Sequence, residues 1–210
     1  MTRILRGTCA NTRATLRTLQ CVVSTLGQMS AIKLRPLALT DLDHIMTWVN
    51  EPAVVGNIAA FEGAAITRDQ ELAWISRTLA SSSDVVFSIV SASDNRYLGQ
   101  IGLHQIYARA KVARLGLVIA SRRDMGRGVG SAAVAAILEH AFATLKLHKV
   151  WLMIFADNQR SAGIYQRAGF VVEGVLREEY FHQGRWHDML RMSMLQHEWR
   201  ARIDALARVS

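Results

Sequence analysis

The chain has 210 residues, is 50% hydrophobic and 20% charged, and carries a formal net charge of +8. That size and apolar content fit a compact domain and exclude a disordered or fibrous chain. The longest apolar run, around Val134 to Leu145, is interrupted by Glu139 and His140 and falls short of the roughly 20 residues that cross a bilayer as a helix.

Two cysteines, Cys9 and Cys21, supply neither a disulfide framework nor zinc-ligand spacing, so a reducing cytoplasm and no metal are expected. His182 and His187 flank Gln183-Gly184 and read as paired surface residues rather than ligands. Residues 1–28 contain Arg3, Arg6, Arg13 and Arg17 and no acid, so the remainder of the chain carries only +4. This Ser/Thr-rich stretch has the composition of a transit peptide. Ordered-looking sequence opens at Met29 with MSAIKLRPLALTDLD, and the first 28 residues therefore read as a disordered extension or an overextended start. With half the excess charge there and no aromatic residue to stack a base, neither nucleic acid nor membrane is expected as a partner.

From Met29 onward the expected elements follow in order. Ile32 to Leu37 forms a first strand. Thr40 with Asp43 caps a helix carrying Leu42, Ile45, Met46 and Val49, and Pro52 ends it. Glu51 to Ile66 is a loop. Thr67-x-x-Gln70 is a capping box that opens a second helix with Leu72, Ile75 and Leu79 on one face. Val85–Ser91 and Tyr97–Tyr107 pair as a hairpin, and Arg114–Ala120 is the next strand. A glycine loop leads into a helix striped by Val134, Ile137, Leu138, Ala141, Phe142 and Leu145. Val150–Phe155 is a strand, Gln159–Ala168 a helix, and Val171–Tyr180 with Trp186–Leu195 a closing hairpin. Residues 29–196 form the domain, and 197–210 a helical tail. Because hairpins are mixed with βα units, the layers are α/β of the α+β kind rather than doubly wound.

Gly126, Gly128 and Gly130 alternate between a strand and a helix, an arrangement that lets backbone amides approach an anion. A tight strand-to-helix turn is the simpler explanation of the same spacing. No Gly-Lys-Ser/Thr follows, which excludes a P-loop, and a dinucleotide fold would place such a loop after its first strand. RRDMGRGVGSAA, residues 122–133, resembles the acetyl-CoA loop of the GNAT N-acetyltransferase superfamily, Gln/Arg-x-x-Gly-x-Gly/Ala. Met125 stands where that pattern has Gln or Arg, while Arg123-x-x-Gly126-x-Gly128 fits two residues earlier. DNQRSAGIYQRAGFVVEG, residues 157–174, is similar to the family's Asn-x-x-Ala/Ser-x-x-x-Tyr-x-x-x-Gly-Phe segment through Asn158, Ser161, Tyr165, Gly169 and Phe170. The resemblance covers about residues 31–196 and points to the branch of ribosomal-protein and spermidine acetyltransferases.

It implies a mixed sheet of about seven strands flanked by about four helices, with acetyl-CoA as cosubstrate. Cofactor contacts are implied for Leu117, Val118 and Ile119 along the pantetheine arm. Met125, Gly126, Arg127, Gly128, Val129, Gly130 and Ser131 would cradle the pyrophosphate, and Asn158 and Ser161 would lie beside the arm. Ser131 reaches a phosphate or merely begins the helix, and Arg127 and Arg160 are further phosphate candidates. The resemblance places the Tyr165 hydroxyl at the CoA sulfur, although a core aromatic would occupy the same position.

Many relatives carry a Glu where this chain has Arg114, which leaves His104, Glu62 or a water chain to accept the amine's proton. The acceptor would be a polyamine, a protein N-terminus or a small amine, held by 51–66 and the hairpin near 181–188. Glu51, Glu62, Asp69, Glu71 and the Glu178-Glu179 pair are the acids within reach. A catalytically silent acyl-CoA-binding module on the same fold is the alternative, and monomer and homo-oligomer both stay open.

Overall fold

The computed structural model describes residues 19–21, 32–56, 58 and 65–208. The remainder of the 1–28 extension, including Cys9, the Met29 boundary and Glu62 lie outside the described residues. One sheet organises the rest, with strands β1 Leu19–Cys21, β2 Ile32–Pro36, β3 Val85–Ser91, β4 Tyr97–Tyr107, β5 Val112–Ile119, β6 Lys149–Phe155, β7 Val171–His182 and β8 Arg185–Leu195. Their order is β1-β2-β3-β4-β5-β6-β8-β7, and every pair is antiparallel except β5 with β6. The helices are α1 Leu42–Met46, α2 Pro52–Val55, α3 Arg68–Ala80, α4 Val129–Glu139, α5 Gln159–Ala168 and α6 Gln196–Ala207. The mixed sheet expected from the sequence is present, with the short edge strand β1 as an eighth member.

Side-chain alternation decides which helix covers which face. Val85, Phe87 and Ile89 of β3, Ile101 and Leu103 of β4, and Ala113 and Leu115 of β5 share one buried cluster with Val134, Ile137, Leu138, Ala141 and Phe142 of the α4 segment. Val86 instead packs with Leu42, Ile45, Trp48, Val49, Val54 and Ile75 on the opposite face. Since β3 is covered on both sides, its sequence runs apolar without the alternation of a half-exposed strand.

Several local expectations change. Thr40 and Asp43 do not cap α1. Asp41, 0% exposed, stands at the N-cap position but makes no side-chain bond to α1, accepting instead from Ala38 N at 3.0 Å, Ser88 Oγ at 2.8 Å and the Arg35 guanidinium. Burial alone would raise the Asp41 carboxyl, but Arg35 and Ser88 hold it below the usual carboxylate range. Pro52 begins the short helix α2 at its first turn, where proline's missing N–H costs nothing. The capping box of α3 forms, with Thr67 Oγ1 and Gln70 Oε1 bonded reciprocally to backbone amides. Its buried face, however, carries Glu71 and Ile75, while Leu72 and Leu79 are 39% and 42% exposed. The closing hairpin turns at Gln183 and Gly184, whose φ values of 49° and 79° are those of a two-residue primed turn. A register shift between Leu176 and Tyr180 takes the Glu178-Glu179 pair out of simple strand alternation.

Candidate active site

The site begins where the two parallel strands part. β5 and β6 pair only through Val112–Arg114 against Lys149–Trp151. Beyond Arg114, β5 stays bonded to β4 as far as Ile119, while β6 continues on β8. The edge of β5 from Leu115 onward is thus left without a strand partner, and a wedge opens toward the carboxyl end of β5. In open α/β sheets this is where ligands gather.

The loop at the mouth of the wedge is shaped by two glycines. Gly126 and Gly128 have φ of 78° and 83°, a region costly for residues with a Cβ, and Gly128 is the N-cap of α4. Gly130 does not need this freedom, because it lies within the helix. The first intrahelical bond runs from Ala132 N to Gly128 O at 3.0 Å, so the amides of Val129, Gly130 and Ser131 precede it. No side chain caps this terminus and no acid occupies the first turn. Its amide hydrogens and partial positive charge are therefore available to an anion.

The wedge forms a cavity of about 410 Å³, within the usual range for a small-molecule site. Leu117, Val118, Ile119, Met125, Gly126, Gly128, Gly130, Ser131, Asn158, Ser161 and Tyr165, all singled out from the sequence, line it together. Two others do not. Arg127 is exposed and outside the lining, and the Val129 side chain is 3% exposed in the core, so only its backbone can reach a ligand. Arg160 does line the cavity, its Nη1 lying 3.6 Å from Met125 Sδ. Asn158 is the N-cap of α5 and accepts from Ser161 N at 3.1 Å while facing the cavity.

Tyr165 is 6% exposed, edge-on to Phe170 at 5.6 Å, and burial pushes its phenol well above the ordinary value.

Sequence reasoning missed Asp124 in this lining. It is 4% exposed and receives a two-pronged bond from Arg96 at 2.8 and 2.9 Å, which holds its carboxyl below the usual range. Arg96 sits in the β3–β4 turn, 28 residues away, and nothing local in RRDMG announces the pair. Ala53, Val54 and Ile58 were also hidden inside a segment read as loop.

A second cavity, about 690 Å³, adjoins the first and shares Ile58, Leu117 and Val118 with it. Its lining includes Trp48, Glu71, Trp74 and Arg77 from the helical side and Gln100, Gly102, His104, Arg114 and Gly116 from β4 and β5. Ile58 and Ile66 come from the expected acceptor loop, but no residue of the 181–188 hairpin contributes. That hairpin instead meets α2, with His182 Nε2 3.2 Å from Gly56 O. Glu71, 6% exposed, has its carboxyl pushed up by burial.

A splayed parallel pair with an uncapped helix terminus at its mouth suits a phosphate-bearing ligand, and comparison with known proteins names the family. The Acetyltransferase (GNAT) domain family matches residues 31–171, and the chain belongs to that family. It is an enzyme of the N-acetyltransferase class. The spermidine N(1)-acetyltransferase of Escherichia coli K12 is 25% identical over 172 residues, 81% of this chain and 89% of that enzyme. The Vibrio cholerae spermidine N(1)-acetyltransferase is 31% identical over 111 residues, 53% of this chain and 64% of that enzyme. A putative ribosomal N-acetyltransferase of Bacillus subtilis is 31% identical over 106 residues, 50% of this chain and 57% of that protein. Among solved structures, the Vibrio cholerae spermidine N-acetyltransferase in complex with CoA and spermine superposes with a TM-score of 0.75 at 26% identity, covering 80% of this chain and 98% of that one. No helix among the described residues is long and apolar enough to cross a membrane.

Proposed function

We propose that the protein transfers an acetyl group from acetyl-CoA to a primary amine by direct attack, with no covalent enzyme intermediate. The observation that carries this reading is that the two cavities adjoin, with Ile58, Leu117 and Val118 lining both. One holds an uncapped helix start for a pyrophosphate, and the other can admit a second substrate. The unpaired edge of β5 offers backbone groups to the amides of a pantetheine arm. The amine nitrogen bonds to the thioester carbon, the oxygen takes the negative charge, and collapse expels the CoA thiolate.

Tyr165 would act on that thiolate. Even at ordinary values, a phenol near 10 giving its proton to a thiol near 8.5 is uphill by about 2 kcal/mol. Burial raises the phenol further, so Tyr165 keeps its proton and serves as a hydrogen-bond donor to the developing sulfur charge. The thiolate then takes its proton from solvent or from the conjugate acid of the base. An alkyl ammonium near 10.4 needs about 4.6 kcal/mol to become neutral at pH 7, which makes a proton acceptor in the second cavity valuable.

The relatives support an amine acceptor, and a solved neighbour was captured with spermine. The second cavity here sets the buried Glu71 against Arg77 and Arg114, a weaker attraction for a polycation than for an amine bearing an anionic group. The deciding experiment is thiol release from acetyl-CoA with spermidine, peptides with free N-termini, amino acids and simple alkyl amines. Release with at least one class is expected. Tight acetyl-CoA binding without release for any acceptor would replace this reading with a silent acyl-CoA-binding module.

A further inference from the structure

His104 stands out in the second cavity because its two ring nitrogens have different surroundings. Nδ1 lies 3.1 Å from Asp84 Oδ1. Asp84 is itself held by two hydroxyls, Ser81 Oγ at 2.6 Å and Ser83 Oγ at 3.2 Å, both on Oδ2. An ionised Asp84 so placed accepts only, which fixes the proton on Nδ1 of the neutral ring and leaves the Nε2 lone pair free. Among the described residues, Nε2 has no hydrogen-bond partner.

The sheet beneath the ring is bare for a reason. His104 is opposite Arg114, and the next pair on that face is Gly102 opposite Gly116. A Cβ on Gly102 would come within 3.0 Å of His104 Nε2, and one on Gly116 within 3.3 Å of both Nε2 and Cδ2. The two glycines therefore make room for the imidazole to lie over the floor, with Nε2 set above them. β5 leads from Gly116 directly to Leu117 and Val118, which line both cavities.

We infer that His104, oriented by Asp84, is the proton acceptor of the transfer reaction. The inference rests on the acetyltransferase reading above. As the acceptor nitrogen bonds to the thioester carbon it becomes acidic, and its surplus proton passes to Nε2. The C–S bond then breaks with the electron pair leaving on sulfur, and the imidazolium returns its proton to solvent or to the thiolate. Asp84 is a positioning residue and His104 the catalytic one.

The charged groups around the ring set its titration. Burial lowers the imidazole below its ordinary 6.5, Asp84 opposes that, and Arg114 across the strand pair adds to it. Glu71 and Arg77 from α3 line the same cavity. His104 is thus neutral, the form a base requires, from below pH 6.5 upward, and activity should fall as pH drops through its depressed value. Asp84→Asn should move that acid limb to lower pH and Arg114→Ala to higher pH, whereas a structural histidine would shift neither.

The test has two arms on the full chain. In the first, His104→Gln is expected to lose about 100-fold in kcat with the KM for acetyl-CoA nearly unchanged. His104→Ala should regain activity with added imidazole. Unchanged kcat in both variants, or a loss that imidazole does not restore in a variant with wild-type melting behaviour, would overturn the role. The second arm needs no turnover: nitrogen-15 NMR of histidine-labelled protein should show His104 as the Nδ1–H tautomer between pH 7 and 8. An Nε2–H tautomer or an imidazolium would overturn the assignment by itself. Absence of thiol release by the wild type alone would point instead to failure of the acetyltransferase reading.

Discussion

The two cavities beside β5 are built by opposite means. The first takes its character from the backbone, with positive-φ glycines, an uncapped helix start and an unpaired strand edge, and the buried Tyr165 in its lining. The second is made of side chains, with His104, Glu71, Arg77 and Arg114 placed around a glycine floor. The glycines differ accordingly. Gly126 and Gly128 supply a conformation, whereas Gly102 and Gly116 supply empty space. A backbone cradle depends little on the Met125 side chain, because the amides come from the chain itself. A side-chain cavity can be re-specified by a single replacement.

Substitutions can break or sharpen this contrast. The largest effect is expected at Tyr165→Phe. Removing one donor to a developing charge costs on the order of 100-fold in turnover, while acetyl-CoA affinity by calorimetry should change little. Equal turnover for variant and wild type would make Tyr165 a packing residue only.

Next comes Gly102→Ala on the acceptor side. Its Cβ would meet Val86 Cγ2 at 2.9 Å, His104 Nε2 at 3.0 Å and Val85 O at 3.1 Å, so the ring must move. We expect roughly a tenfold loss in kcat/KM for the amine, a fraction of the roughly 100-fold or more that a general base contributes, with acetyl-CoA binding preserved. Weakened acetyl-CoA binding with an intact amine response would contradict the division between the cavities.

Gly128→Ala should do the reverse. Holding alanine at φ 83° costs roughly 1–2 kcal/mol, read as weaker acetyl-CoA binding or a lower melting temperature. The smallest effect is expected two residues on. At Gly130 a Cβ meets only Ile164 Cδ1 at 3.4 Å and Leu117 Cδ2 at 3.5 Å, ordinary contacts, and alanine favours the helix by up to about 1 kcal/mol. A greater loss of affinity in Gly130→Ala than in Gly128→Ala would show that space, not backbone conformation, limits the cradle.

Much of the first cavity was legible because its signals are local. Alternating glycines between strand and helix, and Asn158 three residues before Ser161, describe conformations that a short stretch imposes on itself. The second cavity was legible only as scattered candidates. Glu71 appeared among several acids and His104 among substitutes for a missing one, with no spacing to join them. Even the helical period was ambiguous: Thr67 and Gln70 fixed where α3 begins, but the Leu72, Ile75 and Leu79 stripe yielded to a face carrying Glu71 and Ile75.

The sequence by itself determined the succession of strands and helices from β3 to β8, the cap of α3, the hairpin turn at Gln183-Gly184 and the glycine loop ahead of α4. These depend on φ, on periodicity and on hydrogen bonds within a few residues. Only the tertiary structure decided that β5 leaves β6 after Arg114, that Arg96 reaches Asp124, and that Asp84 holds His104 over two paired glycines. Those arrangements follow from strand register and from which helix covers each face, quantities settled by burial summed over the whole sheet rather than by any local stretch of chain.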